Sequence, residues 1–377
     1  DCNGGVVAGA IIDMELTEKA IRASVGQAEK MAGTTISDVI ISFSGGSPES
    51  KVVEVEVDIS GHAVSEDDLA QAMALAKSEI DFEEDGLLHA FPAAYAVDGN
   101  YGTKAPVGMY GKKLAVAVLV VTVAAGPLRN LKACVRRAHL NISTVVLAPY
   151  ASGLACLVED EAKMGAACID LGGGTTGISI FAQGALVHAE VLPLGGMQVT
   201  EQIARGLLAP FEQAERLKTF SGCATLEPAD ERQEIEVTQV GEQGSDKVAR
   251  MPLSALTGIM QQELELLFTT VAERLDASGF SGVAGRRVVI TGGGAQCDAV
   301  RDLASRVLGR SVRIGRPNAM EGLPVAAQAA HFSCIVGLLE YAARMPEQVF
   351  GQKTAADDVA EENGTVGRLV KWFRENF

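Results

Sequence analysis

The stretch Ile169-Asp170-Leu171-Gly172-Gly173-Gly174-Thr175-Thr176-Gly177 lies between two runs of residues that favour β-strands. The run after it, ISIFAQGALVHAEV, contains a Gln183-Gly184 turn and predicts a hairpin. A dinucleotide-binding fingerprint requires a helix directly after its glycines, and a Walker A loop requires a Gly-Lys-Ser or Gly-Lys-Thr sequence. Both motifs are therefore excluded, and a tight turn between two strands remains.

The glycines of this turn indicate a phosphate site. Glycine allows the backbone to come close to a phosphate, and successive turn amides form a concave site for an anion. Asp170, at the end of the preceding strand, is placed to hold Mg²⁺ through water and is the candidate catalytic group. A glycine-rich turn that binds no ligand is the alternative interpretation. The predicted ligands are the glycines and the hydroxyl-bearing residues after them: Gly172, Gly173, Gly174, Thr175 and Thr176.

A second glycine turn follows a strand in the last third of the chain. The strand RRVVITGGGA, residues 286–295, leads into a helix that we expect to begin near Gln296. Bare backbone and a helix N-terminus would meet there, and both favour an anion. Two such turns favour a cleft between lobes with a nucleotide across it. The additional predicted ligands are Gly292, Gly293, Gly294 and Ala295.

One charged pair lies between the two glycine turns in the sequence. The segment FEQAERLK, residues 211–218, predicts a helix on which Glu215 and Lys218 share a face, because they are three residues apart. Each side chain can reach a ribose or an adenine edge. A solvated ion pair is the more common outcome for two such residues taken alone.

Composition excludes several classes of function. The formal net charge of the 377 residues is −16 and the sequence has no long Lys/Arg block, so we predict no nucleic-acid partner. The seven cysteines form no C-x-x-C pair and predict reduced thiols in a cytosolic protein. The longest apolar run, residues 114–125, is shorter than a membrane span and predicts a core strand. Because the sequence opens with Asp1, we expect that preceding residues of the natural protein are missing.

The end of the chain predicts a membrane anchor. Residues 346–363 are polar and acidic and predict a flexible linker, after which GTVGRLVKWFRENF predicts an amphipathic helix over residues 364–377. Its basic residues would attract anionic lipid by about 1 kcal/mol each. A helix that packs on the protein's own core is the alternative. The apolar and aromatic face comprises Val366, Leu369, Val370, Trp372, Phe373 and Phe377, and the basic face comprises Arg368, Lys371 and Arg374.

Four segments resemble, in order, motifs of the actin, Hsp70 and sugar-kinase superfamily: IDLGGGTTGISIF, VLPLGG, FEQAERLK and VVITGGGAQ. The first is similar to its phosphate-2 hairpin and the last to its adenosine motif, while FEQAERLK looks like the helix that touches ribose and base. The resemblance implies that the chain binds ATP with Mg²⁺. It also adds Gly195 and Gly196, from VLPLGG, to the nucleotide-binding residues.

Within that superfamily the chain resembles the FtsA family. The segments ISDVIISFSGG, HAFPAAYAVDG and GMYGKKLAVAVLVVT are similar to the inserted subdomain of FtsA and its entry. The resemblance implies an α/β, actin-like (ribonuclease H-like) fold of two lobes with an FtsA-type inserted subdomain and a C-terminal amphipathic helix. The implied divisions are subdomain 1A (1–36, 114–150 and 330–345), subdomain 1C (37–113), subdomain 2A (151–197 and 265–329), subdomain 2B (198–264), the linker and the terminal helix.

The resemblance also implies a function. An FtsA-like protein is an ATP-binding membrane adaptor, at most a slow ATPase, that polymerises and tethers FtsZ filaments to the inner membrane at the division septum. The implied partners are the FtsZ C-terminal tail, further copies of the chain, anionic inner-membrane lipids and, through subdomain 1C, later divisome proteins. The implied location is the cytoplasmic face of the cell membrane, as a peripheral protein.

Two features depart from the family pattern. The sequence contains no phosphate-1 hairpin of the D-x-G-[TS] type, and Gln261-Gln262 stands where FtsA proteins often carry a Pro-Arg pair implicated in grasping the FtsZ tail. Two other functions remain as alternatives: a small-molecule kinase of the same superfamily, and another actin-like assembly ATPase. A kinase would need a second carboxylate motif as general base, and none is evident in the sequence.

Overall fold

The computed structural model describes residues 4–80, 85–103, 105–241, 248–282, 287–320 and 322–344. The chain divides into two compact units. The first unit comprises residues 1–148, 185–190 and 338–377, and the second comprises residues 149–184 and 191–337. The predicted linker and amphipathic helix, residues 346–377, lie outside the described residues.

The first unit contains most of the antiparallel structure. Its described elements are β1 (Val6–Val7), β2 (Ala10–Ile11), α1 (Met14–Ala32), β3 (Asp38–Phe43), β4 (Glu49–Asp58), α2 (Glu66–Ser78), β5 (Asp85–Val97), β6 (Asn100–Thr103), β7 (Lys113–Ala124), α3 (Ala125–Arg137) and β8 (Asn141–Leu147). The alternation of glycine and apolar residues over 4–13 predicts one strand, but the structure has the short hairpin β1–β2, because Ala8 and Gly9 both have positive φ and turn the chain.

A four-stranded sheet with the order β4-β7-β5-β6 forms the centre of this unit. Along β4, Val53, Val55 and Val57 are buried while the residues between them are exposed, which confirms the half-exposed strand predicted from the alternation. The apolar run at residues 114–125 forms the central strand β7, as predicted. Pro92, Pro106 and several glycines predict a loop-rich stretch after residue 80, but this prediction is wrong at β5, which accommodates Pro92 at an irregularity in its pairing with β7.

The second unit contains the strands that carry the glycine turns. Its described elements are α4 (Ala148–Cys156), α5 (Glu159–Met164), β9 (Ala166–Leu171), β10 (Thr176–Ala182), β11 (Ala185–Leu192), α6 (Gly196–Gly206), α7 (Phe211–Ser221), β12 (Glu234–Thr238), β13 (Val248–Pro252), α8 (Leu253–Ala277), β14 (Arg287–Thr291), α9 (Val300–Leu308), β15 (Ser311–Ile314) and α10 (Ser333–Arg344). Of these, α4, β11 and α10 have residues in both units.

Strand pairing in the second unit brings the ends of β9 and β14 together. β9 pairs antiparallel with β10, which confirms the tight turn predicted between two strands, and parallel with β14. β14 also pairs parallel with β15. In the β9–β14 register Asp170 is the partner of Thr291, so both glycine turns leave the same edge of one sheet. The strands are buried almost throughout, as expected when helices cover both faces of a sheet.

Two expected helices differ from the structure. The sequence predicts one helix over about residues 198–219, but the structure divides it into α6 and α7, because Leu208 has a positive φ and Pro210 precedes the first residue of α7. The helix expected to begin near Gln296 is a short 3₁₀ turn, Gly293–Gln296, and α9 begins only at Val300. In the described part of the chain, no helix combines the length and apolar character needed to cross a bilayer.

Candidate nucleotide-binding site

The first glycine turn joins β9 to β10 in a conformation that requires glycine. The Gly172 N–H donates to Thr175 O at 2.9 Å, and a β-carbon on Gly172 would lie only 2.7 Å from that oxygen. Among the described residues, no protein group accepts a hydrogen bond from the amides of Gly173, Gly174 or Thr175. These three neighbouring amides are therefore available to an anion.

The pair Gly195-Gly196 packs directly on the first glycine turn. Gly196 N donates to Gly172 O at 3.0 Å, and Met197 N donates to Gly173 O at 2.7 Å. A β-carbon on Gly195 would lie 2.6 Å from Gly173 O, so only glycine permits this approach of two backbones. Because α6 begins at Gly196, two of its first amides are already satisfied by the turn.

Residues 292–294, which follow β14 and are called the third glycine segment below, pack on the end of β9. Gly292 has a φ of 87°, and a β-carbon on Gly294 would lie 2.9 Å from Leu171 Cβ. Added β-carbons at Gly173 and Gly293 would meet nothing within 4 Å. These two glycines are exposed and face open space, whereas Gly172 and Gly294 are packed against other residues.

Asp170 lies beneath these turns. Ser152 Oγ donates a hydrogen bond of 2.5 Å to Asp170 Oδ2. Burial raises the pKa of the Asp170 carboxyl, although the hydrogen bond from Ser152 acts in the opposite direction. No cluster of three or more metal-ligating side chains occurs within the described ranges. Asp170 is a single carboxylate beside free turn amides, and this set fits a Mg²⁺ ion held mainly by water and by the phosphates of a ligand.

The two threonines of the first turn have different environments. Thr176 is fully buried and its hydroxyl donates to Leu194 O at 2.8 Å, so this hydroxyl ties the turn to the segment before α6. Thr175 is half-buried in the turn itself. Of the two hydroxyls predicted as ligands, that of Thr176 is already bonded to protein, whereas that of Thr175 lies in the turn itself.

The pair predicted on FEQAERLK is formed, and a third residue joins it. Lys218 Nζ lies 2.7 Å from Glu215 Oε2, and it also donates to Thr200 Oγ1 at 2.7 Å and to Gly196 O at 3.0 Å. Thr200 Oγ1 lies 2.5 Å from the same Glu215 oxygen. The side chain of Lys218 is 19% exposed and that of Glu215 is 46% exposed, so the pair is half-buried. We refer to Thr200, Glu215 and Lys218 as the α6–α7 network.

The electrostatics of this network favour an ionised glutamate. Burial acts to raise the pKa of Glu215, but the hydrogen bonds from Lys218 and Thr200 outweigh it and hold the pKa below its ordinary value. Thr200 is fully buried, and its hydroxyl also contacts Gly196 O, one turn earlier in α6, at 3.0 Å. The network thus joins α7 to the first turn of α6.

Residues of the three glycine segments line one cavity of about 900 Å³ together with Glu215 and Lys218, and all of its lining residues belong to the second unit. This volume is near the upper end for small-molecule and cofactor sites. Its polar lining includes the backbone of Gly173 and Gly293 and the Lys218 side chain. Its other lining residues include apolar side chains and two thiols: Val199, Phe220, Cys223, Ile235, Leu253, Met260, Leu264 and Cys297.

The remaining predicted residues have defined positions or lie outside the description. Ala295 is buried within the 3₁₀ turn, behind Gly293 and Gly294. Gln261 accepts a hydrogen bond from Leu226 N at 2.8 Å and donates to Glu265 Oε1 at 2.9 Å. All nine residues of the predicted membrane-binding faces, between Val366 and Phe377, lie outside the described residues.

Comparison with known proteins shows the family to which the chain belongs. Residues 167–337 match the family model described as Cell division protein FtsA, and residues 45–122 match the SHS2 domain inserted in FtsA. The Cell division protein FtsA of Agrobacterium fabrum is 40% identical over 99% of this chain and 84% of its own length. The Escherichia coli K12 protein of the same name is 31% identical over 99% of this chain and 90% of its own length.

Solved structures show the fold. The chain is similar to the PilM-PilN type IV pilus biogenesis complex, with a TM-score of 0.60 and 17% identity, over 91% of this chain and 89% of that one. It is also similar to MreB5 of Spiroplasma citri bound to ADP, with a TM-score of 0.53 and 14% identity, over 91% of this chain and 79% of that one. The predicted actin-like α/β fold with its FtsA-type insert is confirmed, and the chain belongs to the FtsA family of cell division proteins.

Proposed function

We propose that this chain is an ATP-binding, actin-like adaptor that polymerises and tethers FtsZ filaments to the inner membrane at the division septum. One observation supports the nucleotide part above all others. Three glycine segments line one cavity together with a partly buried lysine, and the first of these segments carries free backbone amides. Membership of the FtsA family supports the role in division.

In this proposal the phosphates lie on the amides of Gly173, Gly174 and Thr175, with the exposed backbone of Gly293 on the other side. The ribose lies next to Lys218 and Glu215, and the base lies against the apolar side chains that line the cavity. Mg²⁺, held by water beside Asp170, would neutralise part of the phosphate charge. The protein groups here bind and orient a ligand, and we expect at most slow hydrolysis.

The adaptor part of the proposal rests on the sequence of residues 364–377. Their apolar and basic faces favour binding at an anionic lipid surface, and a single short helix would bind weakly and reversibly. Polymerisation multiplies the number of anchors on one filament and therefore raises the avidity for the membrane. FtsZ tails and later divisome proteins are the proposed partners, the latter through the inserted subdomain.

The nucleotide proposal is tested by Gly173→Ala and Gly293→Ala. Their new methyl groups meet no protein atom within 4 Å but enter the space assigned to phosphate. We expect both variants to keep the thermal midpoint of the parent and to bind a fluorescent ATP analogue at least about tenfold more weakly, a loss of about 1.4 kcal/mol.

The matched control for these variants is Gly258→Ala in α8, whose methyl group also has open space but lies outside the cavity. This control should bind the ATP analogue as the parent does. Unchanged ATP binding by both Gly173→Ala and Gly293→Ala would contradict the assignment of the turns to phosphate.

The membrane proposal is tested by removing residues 364–377. We expect the full chain to sediment with liposomes that contain anionic lipid and the truncated chain to stay in the supernatant. Binding to a synthetic FtsZ C-terminal peptide, measured on both forms, separates the division role from that of another assembly ATPase. Liposome binding that survives the truncation would refute the anchor.

A further inference from the structure

Two cysteines, Cys223 and Cys297, lie close together in the lining of the cavity. Cys223 follows the end of α7, and Cys297 follows the 3₁₀ turn of the third glycine segment. Both line the cavity and both are partly exposed, whereas Cys134, Cys156 and Cys168 are buried. A dissolved oxidant therefore has access to Cys223 and Cys297 that it lacks at the three buried thiols.

The backbone already holds the two cysteines close together. Cys223 and Asp298 are partners in an isolated parallel bridge, and Ala224 N donates to Asp298 O at 2.9 Å. The sulfur atoms of Cys223 and Cys297 each lie 3.6 Å from that same Asp298 oxygen. The two sulfurs are therefore separated by at most twice that distance, and side-chain rotation with a small backbone shift can bring them to bonding distance.

We propose that Cys223 and Cys297 form a reversible disulfide when the protein meets a peroxide, and that this bond ties the end of α7 to the third glycine segment. The proposed nucleotide site uses the glycine turns and the α6–α7 network and gives no role to a thiol. The two cysteines are therefore not explained by ligand binding. The bond would join two segments that both line the cavity.

The chemistry balances with peroxide as the two-electron oxidant. The Cys223 thiolate attacks one peroxide oxygen, the O–O bond breaks, and the departing hydroxide takes up a proton to give water and a sulfenic acid. The Cys297 sulfur then attacks the Cys223 sulfur, and the S–O bond breaks as the S–S bond forms. The second hydroxide leaves as water with the Cys297 proton. Two thiols are oxidised and one peroxide is reduced to two waters.

The order of these steps follows from the surroundings of Cys297. Burial, with the neighbouring Cys223 and Asp298, raises the pKa of Cys297 to about 12. Peroxide reacts with the thiolate, and this thiol is almost entirely protonated near neutral pH. Cys223 is therefore the thiol that peroxide oxidises, and Cys297 is the thiol that resolves the sulfenic acid.

A bond between these residues would limit the opening of the cavity. The end of α7 and the third glycine segment could no longer separate by more than a disulfide permits. A molecule bound in the cavity would then leave more slowly. This consequence rests on the proposed function, since it supposes that a nucleotide occupies the cavity, whereas formation of the disulfide does not.

Mass spectrometry of the full chain tests the disulfide itself. The reduced protein is treated with hydrogen peroxide, digested without reductant and compared with Cys223→Ser, Cys297→Ser and the control Cys334→Ser. We expect a linked peptide that contains Cys223 and Cys297, lighter by two hydrogens than its reduced parts. It should be lost in the first two variants, retained in the control and reversed by dithiothreitol. Oxidation that stops at sulfinic acid, or that links other cysteines, would overturn the proposal.

A second measurement tests the consequence for exchange. Release of a fluorescent ATP analogue is followed from the reduced and the oxidised parent, with Cys297→Ser treated in the same way. We expect release from the oxidised parent to be several-fold slower and release from the variant to be unchanged by peroxide. Equal rates in a protein that carries the disulfide would overturn the effect on exchange. A protein that forms the disulfide but binds no ATP analogue would instead refute the proposed function.

Discussion

Gly292 lies so close to Asp170 that any residue with a β-carbon at position 292 would overlap the Asp170 carboxylate. A β-carbon on Gly292 would lie 2.3 Å from Asp170 Oδ1 and 2.6 Å from Leu171 O, and its φ of 87° disfavours residues that carry one. We therefore expect Gly292→Ala to lower the free energy of unfolding by about 3 kcal/mol, from strain and overlap together. Urea unfolding followed by circular dichroism measures this loss.

The neighbouring glycine supplies the control for that measurement. Gly293→Ala adds the same methyl group one residue later, where nothing lies within 4 Å, and should leave the urea midpoint nearly unchanged. Equal midpoints for Gly292→Ala and Gly293→Ala would show that the contact with Asp170 is not tight.

Lys218→Met tests the α6–α7 network as part of the ligand site. Methionine keeps most of the apolar stem but removes the charge and the three hydrogen bonds made by Nζ. We expect affinity for a fluorescent ATP analogue to fall at least about tenfold, a loss of about 1.4 kcal/mol. The control is Lys163→Met, which breaks an exposed pair with Glu159 away from the cavity and should bind as the parent does.

Two buried threonine hydroxyls predict opposite effects of the same substitution. Thr257 Oγ1 finds no hydrogen-bond partner among the described residues, although the side chain is fully buried in α8. Thr257→Val should therefore stabilise the protein by about 1 kcal/mol, because it removes a desolvated polar group. Thr200→Val removes a hydroxyl bonded to Glu215 and Lys218 and should destabilise it by about 1–3 kcal/mol. Thermal unfolding of both variants tests this contrast, which fails if both shift the midpoint in the same direction.

The buried pair between Glu161 and Arg313 predicts a dependence of stability on pH. Arg313 Nε donates to Glu161 Oε1 at 2.8 Å, Nη2 contacts Oε2, and Arg287 lies 3.6 Å from the same carboxylate. The hydrogen bonds from Arg313 hold the pKa of Glu161 below its ordinary value of 4.5, despite burial. The unfolded chain therefore binds the proton more readily, so the stabilisation is complete above that ordinary value and is lost as the pH falls through the lower folded pKa.

The measurement compares the parent with Glu161→Gln in urea. Near about pH 7 the variant should be less stable by about 3 kcal/mol, because Arg313 loses its charged partner. The difference between the two proteins should shrink as the pH falls below about 4, where the parent also loses its carboxylate. A difference that stays constant across this range would mean that Glu161 does not supply the titrating group.

Local patterns allowed much of the fold to be predicted. The alternation of Val53, Val55 and Val57 predicts β4, and Gln183-Gly184 predicts the turn between β10 and β11, because burial on one face and residues of positive φ are visible in a sequence. β5 was missed, since Pro92 normally argues against a central strand and only the irregular pairing with β7 accommodates it.

The candidate site was only partly predictable. Glu215 and Lys218 were found because helical spacing places them on one face, but Thr200 comes from another helix and its contact depends on packing. Its position one turn after Gly196 in α6 is a weak signal, since a threonine hydroxyl often contacts the carbonyl one turn earlier. The expected helix after Gly294 became a 3₁₀ turn, a distinction that glycine spacing alone does not make.

The two hydrogen bonds from α6 to the first glycine turn have a mechanical consequence. Because Gly196 N and Met197 N hold the carbonyls of Gly172 and Gly173, the turn cannot shift along its own direction without pulling the start of α6 with it. Lys218 is bonded to Gly196 O, so α7 is drawn along as well. These hydrogen bonds link the turn, the start of α6 and Lys218 of α7, so a displacement of the turn would also displace both helices.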